Sequence, residues 1–464
     1  MKLGLGKLAN IGLTGAGAPA IAVDFGTSSM KVLQLGPGEI PTILAASTLP
    51  TPLDLAGDVQ KRLDYQIDNL ARIVRTGGFL GRRIVFAAPA ASTVCARLQV
   101  SSDGSTTLQA NIAAALGAQV GCDARALSIR FEPTPGTTIE GKPRTGQKAD
   151  VIAMALPTGL IERLMEALRK QRLEPVGIYP EAQALVRAFD HITRRASDAA
   201  LASMYVDIGS ESTKVVIAHG TQPVFAKSVQ FGGRMLDEAV SKQTGRAMAA
   251  ARALRLAADQ LTPDAQAFPA AVLSEDPPAP ASADRGQGER FDALEAAQAR
   301  APRRAALSAG AAGNDDPHEH DPAPSPGAYE RRGRVRSGPD APAEIEFDDA
   351  AAAGLGAVEP VRLDLREQLE VLTEEMGMCL RYHDGSFTGR RVSRAIFVGG
   401  ESRHTALCQH VARAMRLPAH VADPLARLNR PPVDAPTISP LVDLSQPQPG
   451  WAVAVGLGLS PTDL

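Results

Sequence analysis

The sequence predicts an α/β protein built from two matched lobes, and three observations lead to this fold class. A decapeptide pattern occurs twice, first over residues 23–32 and again over residues 206–215. The chain has 464 residues, which is more than one hydrophobic core usually supports, so two or more domains are expected. Apolar strand patterns also alternate with amphipathic helical patterns along most of the chain.

The repeated pattern carries Asp, Gly, Ser or Thr, Ser and Lys at identical offsets in both copies. Each copy follows one apolar strand and precedes another, so each is predicted to be a hairpin bent at its Gly-Ser/Thr tip. Glycine lets backbone N–H groups approach a phosphate, hydroxyl groups add donors, and carboxylates at the strand ends suit Mg²⁺. The residues concerned are Asp24, Gly26, Thr27, Ser28, Ser29 and Lys31 in the first copy, and Asp207, Gly209, Ser210, Ser212 and Lys214 in the second.

Two phosphate-type hairpins in one chain indicate two lobes around one nucleotide, with Lys31 and Lys214 balancing phosphate charge. The alternative interpretation is that both segments are ordinary hairpins, because Asp-x-Gly-x-Ser is common by itself. The repetition favours the phosphate interpretation over this alternative.

Composition and charge exclude several classes of protein. The formal net charge of −2 gives no electrostatic footprint for nucleic acid. Four cysteines without C-x-x-C spacing fit a reducing compartment and argue against a disulfide framework or a cysteine metal cage. The N-terminal residues lack the continuous apolar segment of a secretory signal, and no stretch approaches the roughly 18 apolar residues of a membrane span. We therefore expect a cytoplasmic protein that contacts a membrane only through partners.

The first half of the chain is predicted to alternate helices and strands after the first hairpin. A helix is expected over 59–76, where Leu63, Ile67 and Leu70 recur at helical spacing before Gly77 and Gly78 stop it. Residues 82–173 are interpreted as a small αβ unit inserted into the first lobe. Its expected strands are 83–88, 93–100, 126–132 and 150–155, its expected helices are 108–119 and 158–171, and a further helix follows over 181–195.

The second hairpin opens the second lobe. Phe231-Gly232-Gly233 precedes a helical run over 235–261, and a helix over 361–384 leads to a strand that ends in Gly399-Gly400. A strand followed by two glycines lets the backbone lie flat against an adenine ring; the alternative is simply a tight turn from strand to helix. An Ala/Val/Gly-rich helix over 451–459 is small enough to pack tightly near a domain boundary.

The composition changes between about Thr262 and Val358, which are rich in Pro, Ala, Gly, Asp and Arg. This segment has too few apolar residues to offset the entropy of ordering, so most of it is predicted to be disordered, with short helices over 291–300 and 343–353. His318 and His320 have a spacing that can ligate a metal, but no further ligands lie near them in the sequence. Incidental surface histidines are the simpler interpretation.

The order of these motifs resembles the actin-like ATPase superfamily. The residues that carry the resemblance are the two hairpins, the strand Ile396-Phe397-Val398-Gly399-Gly400 and the terminal helix 451–458. Within the superfamily, the chain resembles the PilM family of type IV pilus assembly proteins, which are relatives of the division protein FtsA. The segments that carry this narrower likeness are 3–8, 170–175, 181–185 and 231–233, and the likeness covers about 1–260 and 360–464.

The resemblance implies an α/β, actin-like two-lobed ATPase fold with a small inserted αβ subdomain, a long disordered insertion, and ATP with Mg²⁺ in the central cleft. The first lobe is expected at 19–81 and 174–200 with 450–464 returning to it, the second at 201–261 and 359–449, the inserted subdomain at 82–173 and the insertion at 262–358. The hairpins would be the two phosphate loops, with Asp24 and Asp207 as catalytic and metal residues. The resemblance further implies an adenosine loop at Gly399, Gly400, Glu401 and Ser402, ribose and phosphate contacts at Gly232 and Gly233, and a water-orienting role for Glu181.

One departure from the family pattern concerns the nucleoside. Many members carry an Ala-Glu-x-x-Lys element whose Glu and Lys contact it, and here the matching stretch is Ala251-Arg252-Ala253-Leu254-Arg255. Arginine in place of glutamate removes a hydroxyl acceptor and adds a charge. We therefore expect a nucleotide-binding scaffold that is at most a weak ATPase.

The resemblance also implies partners. PilM-like proteins capture the cytoplasmic N-terminal tail of the inner-membrane protein PilN in a groove between the first lobe and the inserted unit, and so connect the membrane platform to pilus motor components. The alternatives are an FtsA-like polymer-forming division protein and a sugar-kinase-type phosphotransferase. No convincing catalytic aspartate follows the first hairpin, and residues 459–464 lack the basic amphipathic helix with which FtsA-like proteins usually end.

Overall fold

The structure is a computed structural model, and it describes residues 17–89, 92–101, 107–134, 148–193, 201–258, 261–262, 363–432 and 435–462. The segment 3–8, the histidines 318 and 320, and all of the predicted insertion except Thr262 lie outside the described residues. The short helices expected at 291–300 and 343–353 lie outside them as well.

The first sheet has the strand order β3-β2-β1-β4-β8 and contains the first predicted hairpin. Its antiparallel part is formed by β1 (Ile21–Phe25), β2 (Ser29–Gly36) and β3 (Thr42–Pro50). Two parallel strands, β4 (Arg83–Ala88) and β8 (Glu174–Pro180), continue the sheet beyond β1. Because β1 and β4 are apolar and buried on both faces, the sheet has covering elements on each side.

The second sheet repeats this arrangement with the order β11-β10-β9-β12-β13. The second predicted hairpin is formed by β9 (Ala202–Ile208) and β10 (Thr213–His219), and β11 (Gln222–Val229) extends it antiparallel. The parallel strands are β12 (Val392–Val398) and β13 (Ala419–Val421). The repeated sequence pattern therefore lies at the same place in two sheets of matching topology.

A third sheet, smaller and fully antiparallel, lies between β4 and β8 in the sequence. It has the order β5-β7-β6, with β5 (Val94–Ser101), β6 (Leu127–Pro133) and β7 (Lys148–Pro157). A helix over Leu108–Val120 covers it, and Ile112 of that helix is fully buried in a separate hydrophobic core with the strands. The boundaries of the four expected domains stay a prediction.

The helices cover the faces of these sheets. Helix α2, for example, begins after Asp58, whose side chain accepts hydrogen bonds from the first-turn amides, and it ends at Gly77. The helices are α1 (Leu53–Ala56), α2 (Val59–Thr76), α3 (Leu108–Val120), α4 (Thr158–Lys170), α5 (Glu181–Arg187), α6 (Gly233–Thr244), α7 (Met248–Leu256), α8 (Arg366–Ser386), α9 (Thr405–Met415) and α10 (Ala452–Gly458). Within the described residues, no helix has the length and apolarity that a membrane crossing requires.

Two predicted helices are wrong in extent. The helix expected over 181–195 ends at Arg187, because Phe189 is buried and stacks on Tyr205 with ring centroids 5.7 Å apart, so the chain turns toward the second sheet. The run expected over 235–261 is divided into α6 and α7 by Gly245, which adopts a left-handed φ of 67° as the C-cap of α6.

Helices α5 and α10 pack together in a core that contains residues of both large sheets. At Gly456 of α10, a Cβ would lie 1.7 Å from the carbonyl oxygen of Ala184 in α5, so only glycine allows this approach. Small residues in the final helix therefore allow the tight packing that its composition predicted.

Candidate functional site

A cleft of about 330 Å³ lies where the two hairpin tips meet α5, the loop after β12 and the beginning of α10. Pockets that hold small ligands usually measure roughly 300–1,000 Å³. The structure brings most of the predicted site residues together in its lining. They are Asp24, Gly26, Thr27, Ser28, Ser29, Lys31, Glu181, Asp207, Gly209, Ser210, Ser212, Lys214, Gly399, Gly400 and Glu401.

The floor of the cleft holds three carboxylates and two lysines. Lys31 lies opposite Asp24 in the first hairpin, with 3.6 Å between Nζ and Oδ2. Lys214 lies opposite Asp207 in the second hairpin and contacts its Oδ2 at 3.2 Å and Glu181 Oε2 at 2.7 Å. The five groups thus carry one surplus negative charge when all are ionised.

The environment of these groups changes their protonation. Burial raises the pKa of the Glu181 carboxyl, and the nearby Asp24 and Asp207 charges act in the same direction, although Lys214 opposes them. Burial by itself lowers the pKa of Lys214, but Asp207 and Glu181 outweigh it and raise that pKa above its usual range. Lys214 therefore stays positively charged at neutral pH.

The hairpin tips require glycine. A Cβ on Gly26 would lie 2.6 Å from the carbonyl oxygen of Ser29, and one on Gly209 would lie 2.9 Å from that of Ser212. The first tip is also held from the side of its own lobe, because Gln66 of α2 donates to the carbonyl oxygen of Gly26 at 2.8 Å. Both tips are consequently narrow turns with fixed backbones.

The loop after β12 presents bare backbone to the cleft. Gly399 has a φ of 95°, and a Cβ there would lie 2.3 Å from the carbonyl oxygen of Ile208 and 2.4 Å from Oδ1 of Asp207. A Cβ on Gly400 would meet nothing within 4 Å, so this glycine faces open space. Gly399 and Gly400 thus add no side chain to the cleft lining, and their contact with an adenine ring stays a prediction.

Three predicted site residues lie behind the cleft lining. Gly232 packs against the backbone of Ser210, and the amide of Gly233 donates to the carbonyl oxygen of Gly209 at 3.0 Å. Ser402 is buried and its hydroxyl donates to the carbonyl oxygen of Val398. These residues support the loops, and their contact with a ligand stays a prediction.

The stretch of α7 that departs from the family pattern, residues 251–255, forms a buried ion cluster with the loop after β12. Arg255 is fully buried, with Nε 2.6 Å from Asp237 Oδ1 and Nη2 2.8 Å from Glu401 Oε2. Arg252 contacts the other oxygens of the same carboxylates at 3.1 and 2.8 Å. His404 lies 3.4 Å from Arg255, and burial lowers the pKa of its imidazole, so it remains neutral. The arginine that replaces the expected glutamate is thus balanced by Glu401 and Asp237.

The sequence pattern did not single out several of these residues. Asp237 and His404 acquire their partners only through tertiary contacts, and Arg62 and Arg403 also line the cleft. The sequence does contain one signal for the cleft residues of α2, because Arg62 and Gln66 are polar, lie four positions apart and stand beside the apolar stripe of this helix.

A second cavity, about 360 Å³, is a groove between the third sheet and the first sheet. Strands β6 and β8, which border it, are both edge strands of their sheets. The opposite edge of the first sheet is covered, because Ile43 of β3 donates to the carbonyl oxygen of Asn429 and Ala46 donates to that of Thr437. Lining residues of the groove include Arg130, Phe131, Glu132, Ile152, Met154, Val176, Ile178, Tyr179, Gln183 and Pro223.

Comparisons with known proteins identify the family and the fold of the chain. The family model of the type IV pilus assembly protein PilM matches residues 22–266, more than half of the chain. A search of curated proteins gives no match. A solved PilM–PilN type IV pilus biogenesis complex is 16% identical and aligns over 96% of this chain and 99% of that chain with a TM-score of 0.61. The ethanolamine utilization protein EutJ from Carboxydothermus hydrogenoformans is 11% identical over 95% of this chain and 89% of its own, with a TM-score of 0.39. The likeness to the PilM–PilN complex confirms the predicted actin-like α/β fold.

Proposed function

The chain belongs to the family of the type IV pilus assembly protein PilM, and we propose that it is an ATP-binding scaffold of the pilus assembly platform at the inner membrane. The observation that carries this proposal is the meeting of two glycine-tipped hairpins, each with an Asp–Lys pair, in one cleft. Family membership favours this function over the FtsA-like and sugar-kinase alternatives.

The chemistry of the cleft supports Mg-ATP as its ligand. Fixed glycine turns, hydroxyls and two lysines suit a polyphosphate, while the surplus negative charge on the floor suits a divalent cation. Among the described residues, no group of three or more His, Cys, Asp or Glu side chains is placed to hold a metal ion by itself. We therefore infer that Asp24 and Asp207 hold Mg²⁺ through retained waters while the phosphates supply the remaining ligands, as is usual for this ion.

Weak turnover is part of the proposal. Glu181, the residue expected to orient an attacking water, is buried and lies 2.7 Å from Lys214. The contact with Lys214 occupies a carboxylate oxygen that a general base would need for hydrogen bonding to the attacking water. Glu181 in this arrangement fixes Lys214 more readily than it acts as a base.

Calorimetric titration with Mg-ATP tests the nucleotide site. Asp24→Ala and Asp207→Ala should each weaken binding by about tenfold or more, since each removes a predicted metal ligand. Asp24→Ala also leaves Lys31 without its carboxylate partner, whereas Lys214 keeps Glu181 when Asp207 is removed. Asp64→Ala, which removes an exposed carboxylate from α2, is the matched control and should bind as the wild type does. Unchanged affinity in both cleft variants would contradict the assignment.

We further propose that the groove between β6 and β8 binds the cytoplasmic N-terminal tail of a PilN-like membrane protein, which would place this chain at the inner membrane through its partner. The solved relative is a PilM–PilN complex. Edge strands leave backbone donors and acceptors for an added strand, and apolar side chains such as Val176 and Ile178 can form pockets for alternate residues of an extended peptide. Contacts with pilus motor and other platform components are proposed from family membership alone.

Fluorescence polarisation with a labelled tail peptide tests the groove. Val176→Asp should weaken binding at least about tenfold, because it places a charge among the apolar residues of the groove. Val371→Asp makes the same change on the exposed face of α8 and should leave binding unchanged. Equal affinity of the two variants for the peptide would place the tail elsewhere.

A further inference from the structure

Arg62 of α2 lines the cleft, and no carboxylate forms an ion pair with it in the part of the chain that the structure describes. Only 7% of this residue is exposed, and it belongs to the cleft lining. Its Nη1 donates to the carbonyl oxygen of Ala56 at 2.8 Å, whereas its buried Nε has no hydrogen-bond partner among the described residues. Burying a guanidinium group with an unsatisfied N–H donor costs free energy unless an anion neutralises its charge.

The carboxylates around Arg62 are engaged with other cations. Glu211, at the tip of the second hairpin, contacts Arg234 at 3.1 Å, and Asp58 contacts Lys61 at 3.2 Å and caps α2. Glu181 is held by Lys214. Burial lowers the pKa of Arg62, and the charges of Glu211, Glu181 and Asp58 oppose this, so the guanidinium remains charged.

The position of Arg62 is fixed by the same helix that fixes the first hairpin. Gln66 lies one turn further along α2 and holds the carbonyl oxygen of Gly26, so Arg62 and the first tip share one rigid support. Just before α2, the Cβ position of Gly57 lies 3.7 Å from Arg234 of the second lobe. The start of α2 therefore reaches the second lobe, and Glu211 at the tip of the second hairpin is the carboxylate that acts most strongly on the Arg62 charge, so Arg62 lies near the tips of both hairpins.

We propose that Arg62 binds the terminal phosphate of the nucleoside triphosphate in this cleft, an inference that rests on the proposed nucleotide binding. A ligand whose base lies against the Gly399–Gly400 backbone and whose phosphates lie between the hairpin tips would direct its last phosphate toward Arg62. Guanidinium groups bind phosphate oxygens through paired, charge-assisted hydrogen bonds, and the Arg62 side chain lines the cleft while its Nη1 group is anchored on the carbonyl oxygen of Ala56. Arg62 would then distinguish ATP from ADP and connect the first lobe to the ligand.

Titration calorimetry with Mg-ATP and Mg-ADP tests this role in the wild type, Arg62→Gln, Arg62→Lys and Arg75→Gln. Arg62→Gln should weaken ATP binding about 10- to 100-fold while ADP affinity changes less than about twofold, and Arg62→Lys should keep part of the preference for ATP. Arg75→Gln makes the same change on the exposed side of α2 and should leave both affinities unchanged.

The ratio of the two affinities within each variant is the decisive quantity, because it does not depend on the fraction of protein that is folded. An unchanged ratio in Arg62→Gln, with ATP and ADP either both unaffected or both weakened equally, would overturn the role of Arg62 and leave the nucleotide site intact. Failure of the wild type to bind either nucleotide would instead overturn the proposed function, and the role of Arg62 with it.

Discussion

Replacing Lys214 with methionine should destabilise the protein strongly, because it removes the cation between two buried carboxylates. The Nζ atom lies 2.7 Å from Glu181 and 3.2 Å from Asp207. At an effective dielectric constant of about 20, these contacts correspond to about 6 and 5 kcal/mol of Coulomb attraction. Desolvation of the three groups offsets much of this, and removal of one partner from a buried pair typically costs about 3–5 kcal/mol. Since the Lys214 side chain is 21% exposed, we expect a loss of about 3 kcal/mol in the free energy of unfolding.

Lys31→Met is the matched control for this change. Lys31 contacts one carboxylate at 3.6 Å, so its removal should cost less than about 2 kcal/mol. Urea unfolding can be followed by the fluorescence of Trp451, which is the only tryptophan in the sequence and is buried at the cleft. A loss in Lys214→Met no larger than that in Lys31→Met would refute the reasoning.

The pH dependence of the Lys214→Met penalty gives a second check. Burial raises the pKa of Glu181 in the folded state, so the folded protein binds this proton more tightly than the unfolded chain does. The stability gained from protonation is therefore fully present below the unfolded pKa of about 4.3, and it is lost as pH rises through the folded pKa. Removing Lys214 raises that folded pKa further, because Lys214 is the cation that lowers it. The penalty should therefore be smaller at about pH 5 than at about pH 8, and a penalty that grows on acidification would contradict this assignment.

Two further substitutions test the cleft walls. Gly399→Ala should lower the free energy of unfolding by about 2 kcal/mol or more and weaken nucleotide binding, since the new Cβ would combine a positive φ with a 2.3 Å clash. In Gly400→Ala the new Cβ meets no neighbour within 4 Å, so this variant should keep wild-type stability in the same urea titration. Arg255→Met should lower the unfolding free energy by about 3–5 kcal/mol, because two buried carboxylates then share only Arg252, and a thermal midpoint equal to that of the wild type would show that the cluster contributes no stability.

Local sequence signals were sufficient to predict the hairpins and many helices. An Asp and a Lys seven positions apart across a tight hairpin tip must face each other, and both pairs do so in the structure. Helix α2 has the predicted bounds, because an N-capping Asp58 and a terminal Gly77 mark its ends. Signals of this kind depend only on residues that are close together in the sequence, so they can be recognised without knowledge of the tertiary structure.

Other features depend on contacts between distant residues and could not be predicted in this way. Strands β3 and β11 were not predicted, although each completes its sheet by pairing with the preceding strand. Arg255 and Glu401 are 146 positions apart in the sequence, and nothing in either segment indicates that the two side chains meet. The end of α5 likewise depends on the stacking of Phe189 against Tyr205 in the second sheet. Burial in the assembled protein decides each of these features.

The uneven distribution of charge along the cleft argues for a metal–triphosphate ligand over a bare anion. The cluster beside the adenosine loop is balanced, with two carboxylates for two guanidinium groups, and so it attracts no net charge. When all of its groups are ionised, the floor has one negative charge in excess, which favours a cation, whereas Arg62 near the hairpin tips favours an anion. A ligand that satisfies both must carry a cation as well as a negative group. Because the cation and the terminal phosphate would belong to one ligand, loss of either the floor carboxylates or Arg62 should weaken binding of the whole ligand.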